Sequence, residues 1–347
     1  MVSQTLEASL GRAAAAGACA IGLALCAGAA GAATRTATPA TFATVLATAA
    51  GGDRIVLTAG SYGPLQVSRR EFSPALEIDA SAATLNGMTV VQVRGLHIRG
   101  GTFRLPPPTN RRDTGQPIYG PAIRLDRVQS VTVSGGRFTG PGADETDAAA
   151  YGEGYGVFVV GGNDLEVSDN QLKGLKGGVT MTRVQNFRVL RNTFSRMRSD
   201  GVQIAESRKG LIEGNSCQAT RIRDVEHPDC IQLWSNPRSP PTSEVTIRAN
   251  TVRGDTQGIG MFNHVRKGVD DGGFDRIIIE DNDIEVSYPH GIAIFAARDS
   301  VIRNNRVRTF GNPRWQAGIN TNPPVARCGN SIAAGAGKPK KKDPPCK

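Results

Sequence analysis

Residues 178–217 read GVTMTRVQNFRVLRNTFSRMRSD followed by GVQIAESRKGLIEGNSC. Each half holds an apolar strand that begins beside a glycine, a second apolar strand, and a turn with asparagine. The same phrase recurs about seven times along the chain. Its first apolar residues, the anchors, are Ile123, Val157, Val179, Val202, Ile231, Ile259, Ile292 and Ile319. Repeats of roughly 20–50 residues that contain only strands are typical of a parallel β-helix, so we predict an all-β solenoid.

The alternation of side chains along each strand predicts inward-facing columns in every coil. The first strand contributes pairs such as Val179 and Met181, and the second contributes pairs such as Phe187 and Val189. A third column follows the turn: Phe138, Leu172, Phe194, Cys217, Val252, Ile284 and Val307. The turn asparagines are Asn170, Asn192, Asn215, Asn250, Asn282 and Asn305. We expect them to adopt the left-handed conformation and to hydrogen-bond from coil to coil.

The two ends of the chain are predicted to differ from the solenoid. Arg12 precedes a long apolar run, and small residues at 30–33 offer a cleavage site, so residues 1–33 are predicted to be a signal peptide. The mature protein is then periplasmic or secreted, with no transmembrane segment. We predict a β-helix domain at 34–325, opened by a capping helix at 34–50, and a basic, disordered tail at 326–347.

Four cysteines remain once the signal peptide is removed. Cys217 falls in an inward column and Cys230 in an outward one, so these two are not expected to pair. Cys328 and Cys346 flank the tail, and an oxidising compartment would allow them to form a disulfide.

The charge of the chain narrows the class of partner. The net charge is +10, and residues 338–347 contain five lysines and one aspartate. An exported basic solenoid meets anionic polysaccharide more often than nucleic acid, and no stretch resembles a nucleic-acid-binding motif. We therefore expect an anionic polysaccharide as the partner, no nucleic acid, and a monomeric protein.

The segment at 51–62 reads GGDRIVLTAGSY. It resembles the phrase GD-x-I-x-L-x-x-G-x-Y, which opens the first coil in the pectin-lyase-like superfamily. The resemblance extends over nearly all of the mature chain and implies a right-handed, single-stranded parallel β-helix. This superfamily includes lyases, epimerases, hydrolases, esterases and adhesive spikes, so the resemblance leaves the reaction open.

The corner that enters each first strand gathers titratable side chains. Asp200 and Asp229 occupy the same corner position in successive coils, which places their backbones about 4.8 Å apart. Two carboxylates at this spacing share a proton, bind a cation, or have one pKa raised. The other residues predicted to be catalytic here are Arg221, Arg223, His227, Tyr288 and His290. The sequence thus predicts a groove along this corner.

A column of glycines precedes the anchors. Its members are Gly156, Gly178, Gly201, Gly258, Gly291 and Gly318, with Cys230 in the remaining place. One interpretation is a bare outer surface where a ligand approaches the backbone. The other is that the turn itself requires glycine.

An outward row of aromatic residues lies three residues after the anchors. Its members are Trp234, Phe262 and Phe295. Aromatic rings on consecutive coils can stack on the apolar faces of sugars, and a loop that covers them is an equal alternative. The predicted substrate-binding set adds polar and basic neighbours: Gln203, Gln232, Arg198 and His264.

The first candidate reaction is β-elimination or C5 epimerisation of a uronate. Arginine or calcium neutralises the uronate carboxylate, and a base then removes the C5 proton. The resemblance to alginate and pectate lyases implies a Ca²⁺ site formed by Asp200, Asp229, Asp224 and Glu226. It also implies a base among His227, Arg221 and Arg223, with Tyr288 or His290 as the proton donor.

Hydrolysis and plain binding are the alternatives. The phrases SDG at 199–201 and PDC at 228–230 resemble the T-D-G and D-D-C phrases of polygalacturonase-like glycosidases, where carboxyls act as acid and base. Pro228 replaces one of those acids, so the sequence favours the lyase or epimerase. A non-catalytic glycan-binding or structural solenoid would need no convergence of Asp200, His227, Asp229 and an arginine in one groove.

Overall fold

Parallel strands make up most of the computed structural model. The structure describes residues 31–113, 115, 117–141, 143, 153–221, 227–235, 239–262, 272–311, 314–333 and 339–347. Residues 1–30 of the predicted signal peptide lie outside these ranges. Within them, the single α-helix is Phe42–Thr48, and no helix is long and apolar enough to cross a bilayer.

The strands of the described chain form two large sheets and one small one. The first sheet contains Thr34–Ala37, Arg54–Leu57, Leu65–Asp79, Met88–Arg99, Ile123–Ser134, Tyr155–Ser168, Gly177–Leu190, Val202–Ala205, Arg208–Glu213, Asp229–Trp234, Thr242–Arg248, Gln257–Phe262, Phe274–Asp275, Ile278–Glu280, His290–Phe295, Ala297–Arg298, Val301–Arg303, Gly318–Asn322 and Ala326–Cys328. The second contains Gly60–Tyr62, Ala83–Asn86, Thr102–Arg104, Arg137–Thr139, Gln171–Lys173, Thr193–Ser195, Ser216–Arg221, Thr251–Asp255, Asp283–Val286, Arg306–Thr309, Ser331–Ala333 and Pro339–Lys342. The small sheet pairs Asn110–Arg111 with Pro117–Ile118.

The register between coils matches the predicted anchor column. Val179 pairs with Val157 on one side and Val202 on the other, and the series continues through Ile231 to Ile259. These side chains are buried, as are the columns of the second and third strands. Removing this apolar surface from water is the main force that stacks the coils, because each coil alone would leave its inner face exposed.

The turn asparagines form a buried ladder from coil to coil. The backbone N–H and the side-chain Nδ2 of Asn192 donate to Oδ1 of Asn215 at 2.9 and 3.1 Å, and Nδ2 also donates to the Val167 carbonyl at 2.8 Å. The hydrogen-bonding prediction is confirmed. The predicted left-handed conformation is wrong for the asparagine itself. It belongs to the preceding residue, such as Arg191 at φ 52°, which turns the chain so that the asparagine side chain points inward.

The glycine column faces the core, so the expectation of a bare outer surface is wrong. A Cβ at Gly178 would lie 2.5 Å from a ring carbon of Phe194, and one at Gly201 would lie 3.0 Å from Sγ of Cys217. The strand entry thus approaches the third column too closely for a side chain. Packing therefore requires glycine at positions 156, 178, 201, 258 and 291, whereas a Cβ at Gly318 would meet only the Pro289 carbonyl at 4.0 Å.

Cys217 and Cys230 form a disulfide, which corrects the expectation that they would not pair. Cys230 stands in the glycine column and therefore points inward rather than outward. It is 2% exposed and Cys217 is 1% exposed. The glycine column runs close to Cys217 Sγ, as the 3.0 Å approach of a Cβ at Gly201 shows, so the cysteine at position 230 of this column reaches that sulfur directly.

The predicted disordered tail forms part of the solenoid wherever the structure describes it. Asn330 continues the asparagine ladder, and Ser331–Ala333 pairs with the preceding coil. Pro339–Lys342 then returns antiparallel along this strand. The Cys328–Cys346 disulfide, predicted from their positions, ties the segment down. Disorder was expected from the lysines, but ladder and disulfide order a basic segment regardless of its charge.

Candidate functional site

Two cavities adjoin on the outer side of the first strands. The larger, of about 490 Å³, we call the aromatic cavity, and its lining is His227, Gln232, Trp234, Ser235, Gln257, Phe262 and His290. The smaller, of about 260 Å³, we call the lysine cavity, and its lining is Tyr155, Lys176, Gly177, Thr180, Ser199, Asp200, Gln203, His227 and Gln232. Because His227 and Gln232 line both, the two cavities form one continuous groove, the His227 groove.

Each corner aspartate is held by the glutamine three residues later. Gln203 Nε2 donates to Asp200 Oδ2 at 3.1 Å, and Gln232 Nε2 donates to Asp229 Oδ2 at 3.0 Å. The backbone N–H of Asp229 donates to Asp200 Oδ1 at 3.0 Å, which joins the two coils. Gln203 and Gln232, which were predicted to bind substrate, line the groove, and the amide nitrogen of each donates to a carboxylate.

His227 lies over the carboxylate of Asp229. Its Nδ1 is 3.8 Å from Asp229 Oδ2, and the side chains of the two residues are 68% and 0% exposed. The carboxylate raises the pKa of His227 to about 9, and burial raises the pKa of Asp229 above its usual value. The pair thus retains a proton into the alkaline range, and only its histidine is open to a ligand.

His290 also lines the aromatic cavity, and its pKa is shifted in the opposite direction from that of His227. Burial, followed by the nearby charge of His227, lowers the pKa of His290. Asn320 Nδ2 donates to the Pro289 carbonyl at 2.9 Å and lies 3.3 Å from His290 Nδ1. An amide nitrogen can only donate, so Nδ1 accepts and the hydrogen of the neutral ring sits on Nε2.

The aromatic row reaches the groove in two of its three positions. Trp234 and Phe262 pair in register on neighbouring coils and line the aromatic cavity. Phe295 stacks on Phe262, with ring centroids 5.6 Å apart. Phe262 also meets the rings of His227 and His290 edge-on. An apolar wall therefore stands beside the two histidines.

Two predicted site residues, Arg198 and Tyr288, contact residues outside the groove lining. Arg198 forms an ion pair with Glu153, and its side chain is only 12% exposed. Tyr288 packs against Trp315, with ring centroids 5.3 Å apart, and neither contributes to the lining of the groove. The predicted roles of Arg198 in substrate binding and of Tyr288 in proton donation therefore find no support in these contacts.

Other predicted residues lie beyond what the structure describes. Arg223, Asp224, Glu226 and His264 fall outside the described residues. Arg221 ends the strand Ser216–Arg221, but its side chain is also not described. Their predicted roles stay predictions.

The described carboxylates do not fit a calcium site. Calcium takes about 6–8 oxygen ligands, whereas Asp200 and the Oδ2 of Asp229 are already bound by N–H donors. Across the described residues, no cluster of three or more histidine, cysteine, aspartate or glutamate side chains is arranged to hold a metal. Asp224 and Glu226, the other predicted ligands, are among the residues that are not described.

Several groove residues were missed by the sequence reasoning. Lys176, Tyr155 and Thr180 line the lysine cavity, Gln257 lines the aromatic cavity, and Asn320 orients His290. The signal for Gln257 was available, because it stands at the aspartate position of the next coil and pairs with Asp229. In its own coil, Lys176 comes one residue before Gly177, which occupies the aspartate position, and nothing in the repeat singled it out.

The sequence profile of the right-handed β-helix region matches residues 121–269. This profile covers less than half of the chain, and the stacked parallel strands show a parallel β-helix fold. No curated protein matches it. Among solved structures, an alginate lyase from Paenibacillus sp. str. FPU-7 is 15% identical with a TM-score of 0.54, covering 83% of this chain and 97% of that one.

Two further solved structures are similar to this chain. The alginate lyase AlyGC, of the PL6 family, is 18% identical with a TM-score of 0.50, covering 83% of this chain and 40% of that one. The surface adhesin PfbA of Streptococcus pneumoniae is 12% identical with a TM-score of 0.49, covering 85% and 87%. At 15% and 18% identity, the two alginate lyases show a likeness of fold alone, because one fold supports many functions.

Proposed function

We propose that the His227 groove binds a uronate-containing anionic polysaccharide and catalyses β-elimination or C5 epimerisation. The observation that carries the proposal is the exposed imidazole of His227 over the buried carboxylate of Asp229. A histidine placed in this way can take a proton from a bound ligand, and the carboxylate stabilises the imidazolium that forms. The open groove with an aromatic wall suits a sugar chain.

In this proposal His227 is the base that removes the C5 proton. Asp229 is fully buried, so it acts through His227 as a positioning residue rather than on the substrate. Its charge holds the pKa of His227 near 9, which makes the neutral imidazole a stronger base than an ordinary histidine. The cost is that the neutral form is scarce at pH 7, so we expect an alkaline optimum.

The other groove residues would handle the remaining charges. Lys176 in the lysine cavity supplies a cation for the uronate carboxylate, whose neutralisation acidifies the C5 proton. His290 presents its Nε2–H to the departing O4, which takes its proton from water. When the C4–O bond breaks, a C4=C5 double bond remains. When a proton returns to the opposite face of C5 instead, the product is the epimer.

Hydrolysis receives less support from the same geometry. Acid and base carboxyls of a glycosidase must both reach the scissile bond. Asp229 is buried beneath His227, and both oxygens of Asp200 already accept hydrogen bonds. We therefore keep hydrolysis and non-catalytic glycan binding as outcomes that an experiment would reveal.

The proposal also covers the cellular location of the protein and the cap of its first coil. We propose that the protein is periplasmic or secreted, because it carries two disulfides and such bonds persist in oxidising compartments. We also propose that the helix Phe42–Thr48 caps the first coil. Phe42 and Leu46 are buried, and Arg70 donates to the carbonyls of Leu46 and Ala49 at the helix end.

Absorbance at 235 nm tests the proposal on alginate, polygalacturonate and glycosaminoglycans, each with calcium and with EDTA. Elimination gives a rise with the wild type and a rate about 100-fold lower with His227→Ala. Epimerisation gives no absorbance and is detected as loss of the H5 signal by proton NMR in D₂O. His97 is an exposed histidine on the strand Met88–Arg99, so His97→Ala is the matched control and should keep the full rate. New reducing ends without absorbance would point to hydrolysis, and a His227→Ala enzyme of normal rate would contradict the proposed base.

A further inference from the structure

The aspartate–glutamine pattern of the groove corner breaks in its third coil. Asp200 with Gln203, and Asp229 with Gln232, repeat the spacing Asp-x-x-Gln. In the next coil the same positions hold Gln257 and Gly260. The pairing of Asp229 with Gln257, and of Gln232 with Gly260, shows that the positions correspond. The third coil therefore has no glutamine amide at position 260 to hydrogen-bond the side chain at position 257.

Three buried polar atoms at this break lack a hydrogen-bond partner in the described structure: Oε1 of Gln257, Nε1 of Trp234 and Oδ1 of Asp229. Gln257 is 7% exposed and, like Trp234, lines the aromatic cavity. The equivalent oxygen of Asp200 accepts the backbone N–H of the next coil, but the N–H of Gln257 donates to the Pro228 carbonyl instead. One acceptor, on Gln257, and one donor, on Trp234, thus lack partners at the wall of the aromatic cavity. Most buried polar groups in proteins are paired.

We propose that the aromatic cavity is a subsite for a neutral sugar residue, so that the substrate of the groove alternates uronate with a neutral sugar. This inference rests on the proposed function of the same groove. A sugar hydroxyl can donate to Oε1 of Gln257 and accept from Nε1 of Trp234, while the C–H face of the ring packs on Phe262.

A uronate fits this cavity poorly. An ionised carboxylate has no hydrogen to give to the amide oxygen of Gln257, and the Asp229 carboxylate lies beneath the neighbouring coil. The lysine cavity has the complementary character, because Lys176 offers a cation there. His227 stands between the two cavities, so a chain that spans them places the uronate on the lysine side and the neutral sugar on the aromatic side. A homopolymer of uronates would place a carboxylate, which has no hydrogen to donate, against the unpaired Oε1 of Gln257.

Rates on four polymers test this subsite. Hyaluronan and chondroitin alternate glucuronate with a neutral hexosamine, whereas polymannuronate and polygalacturonate contain uronates only. H5 loss, followed by proton NMR in D₂O, reports both elimination and epimerisation. We expect kcat/KM on at least one alternating polymer to exceed both homopolymers by about tenfold or more. Gln257→Leu should lower the rate on the alternating polymer about tenfold and change the homopolymers less than twofold. Gln171→Leu, on an exposed glutamine of the third strands, is the control.

Equal rates on both polymer classes, or a Gln257→Leu loss that is uniform across them, would overturn the subsite while leaving the proposed function intact. Calorimetry separates the reverse case. His227→Ala should bind an alternating tetrasaccharide at least about tenfold more tightly than a uronate tetrasaccharide, and adding Gln257→Leu should remove that preference. This result without turnover of any polymer by the wild type would keep the subsite and reject the proposed reaction. Absence of the preference in calorimetry would reject the subsite.

Discussion

The asparagine corner and the groove corner of the solenoid satisfy their buried polar groups differently. Along the asparagine corner, the side-chain Nδ2 of each asparagine from Asn170 to Asn305 donates to Oδ1 of the asparagine in the next coil. Along the groove corner, the pairing holds for Asp200 and Asp229 and then stops at Gln257. A continuous ladder stabilises the stack, whereas an interrupted one leaves hydrogen-bonding capacity for a ligand.

The difference separates stability from function along one repeat. Both corners bury amide and carboxyl groups, which is costly unless partners are present. The asparagine corner meets that requirement within the protein, and the groove corner meets it only in part. Substitutions at the first corner should therefore affect folding, and substitutions at the second should affect activity.

Asn215→Ala should produce the largest effect, on stability. It removes the acceptor of Asn192 and the donor to the Val189 carbonyl, and leaves these buried groups unpaired. We expect the free energy of unfolding to fall by about 4 kcal/mol in urea denaturation. Asn163→Ala, which removes an exposed hydrogen bond to Asn186, should cost less than about 1 kcal/mol. Equal losses for the two variants would mean that the ladder does not hold the coils together.

Asp229→Asn should mainly change the pH dependence of catalysis. The base must be neutral, so with a pKa of about 9 the wild-type kcat/KM should rise tenfold per pH unit and level off above about pH 9. Without the carboxylate, the pKa of His227 returns toward 6.5, and the rising limb moves to lower pH. The plateau should fall about 100-fold, because the imidazolium loses its counter-charge. A rising limb that stays near pH 9 would show that His227 is not the group that titrates.

Gly260→Ala should sharpen the comparison at the break in the pattern. A Cβ there would lie 2.6 Å from Asp229 Oδ1 and 2.9 Å from its carboxyl carbon, so the carboxylate must move away from its place below His227. We expect kcat/KM to fall about tenfold. Gly63→Ala, where a Cβ meets nothing within 4 Å, should leave the rate unchanged. If both variants keep the wild-type rate, the position of Asp229 does not matter to the reaction.

Arg188→Ala should have the smallest effect. Arg188 pairs with Glu166 on an outer face of the solenoid, at 2.9 Å, and their side chains are 56% and 21% exposed. Solvent and salt screen such a pair, so its contribution should be about 0.5 kcal/mol or less. A double-mutant cycle with Glu166→Ala at about 0.05 M salt measures it, and the coupling energy should fall toward zero at about 0.5 M salt, where screening is stronger. A coupling energy as large as the loss of unfolding free energy in Asn215→Ala would show that the outer charges stabilise the stack as much as the ladder does.

The sequence predicted the coils because their signals repeat. The anchor at Val179 has equivalents in register on both sides, so a misplaced residue in one coil is corrected by its neighbours. Cys230 was misplaced because an outward position by simple alternation becomes inward where the strand enters from the corner. The tail was misjudged because composition outweighed a single further asparagine, Asn330.

The groove was only partly predictable, because its contacts join different coils. The Asp-x-x-Gln pattern at 200–203 and 229–232 can be read from the sequence. The spacing of these residues does not show that the carboxylate of Asp229 is buried beneath His227. Arg198 shows the converse. The repeat placed Arg198 in its column, but its guanidinium forms an ion pair with Glu153, which lies 45 residues away in the sequence. Side-chain partners from distant insertions are beyond what a repeat can specify.

The central claim is that the His227 groove removes the C5 proton of a uronate. Proton NMR in D₂O on uronate polymers measures this directly, because elimination and epimerisation both abolish the H5 signal. We predict that the signal is lost with the wild type and with His97→Ala, and about 100-fold more slowly with His227→Ala. An H5 signal that persists on every uronate polymer with the wild type, or decays at the same rate with His227→Ala, would contradict the claim.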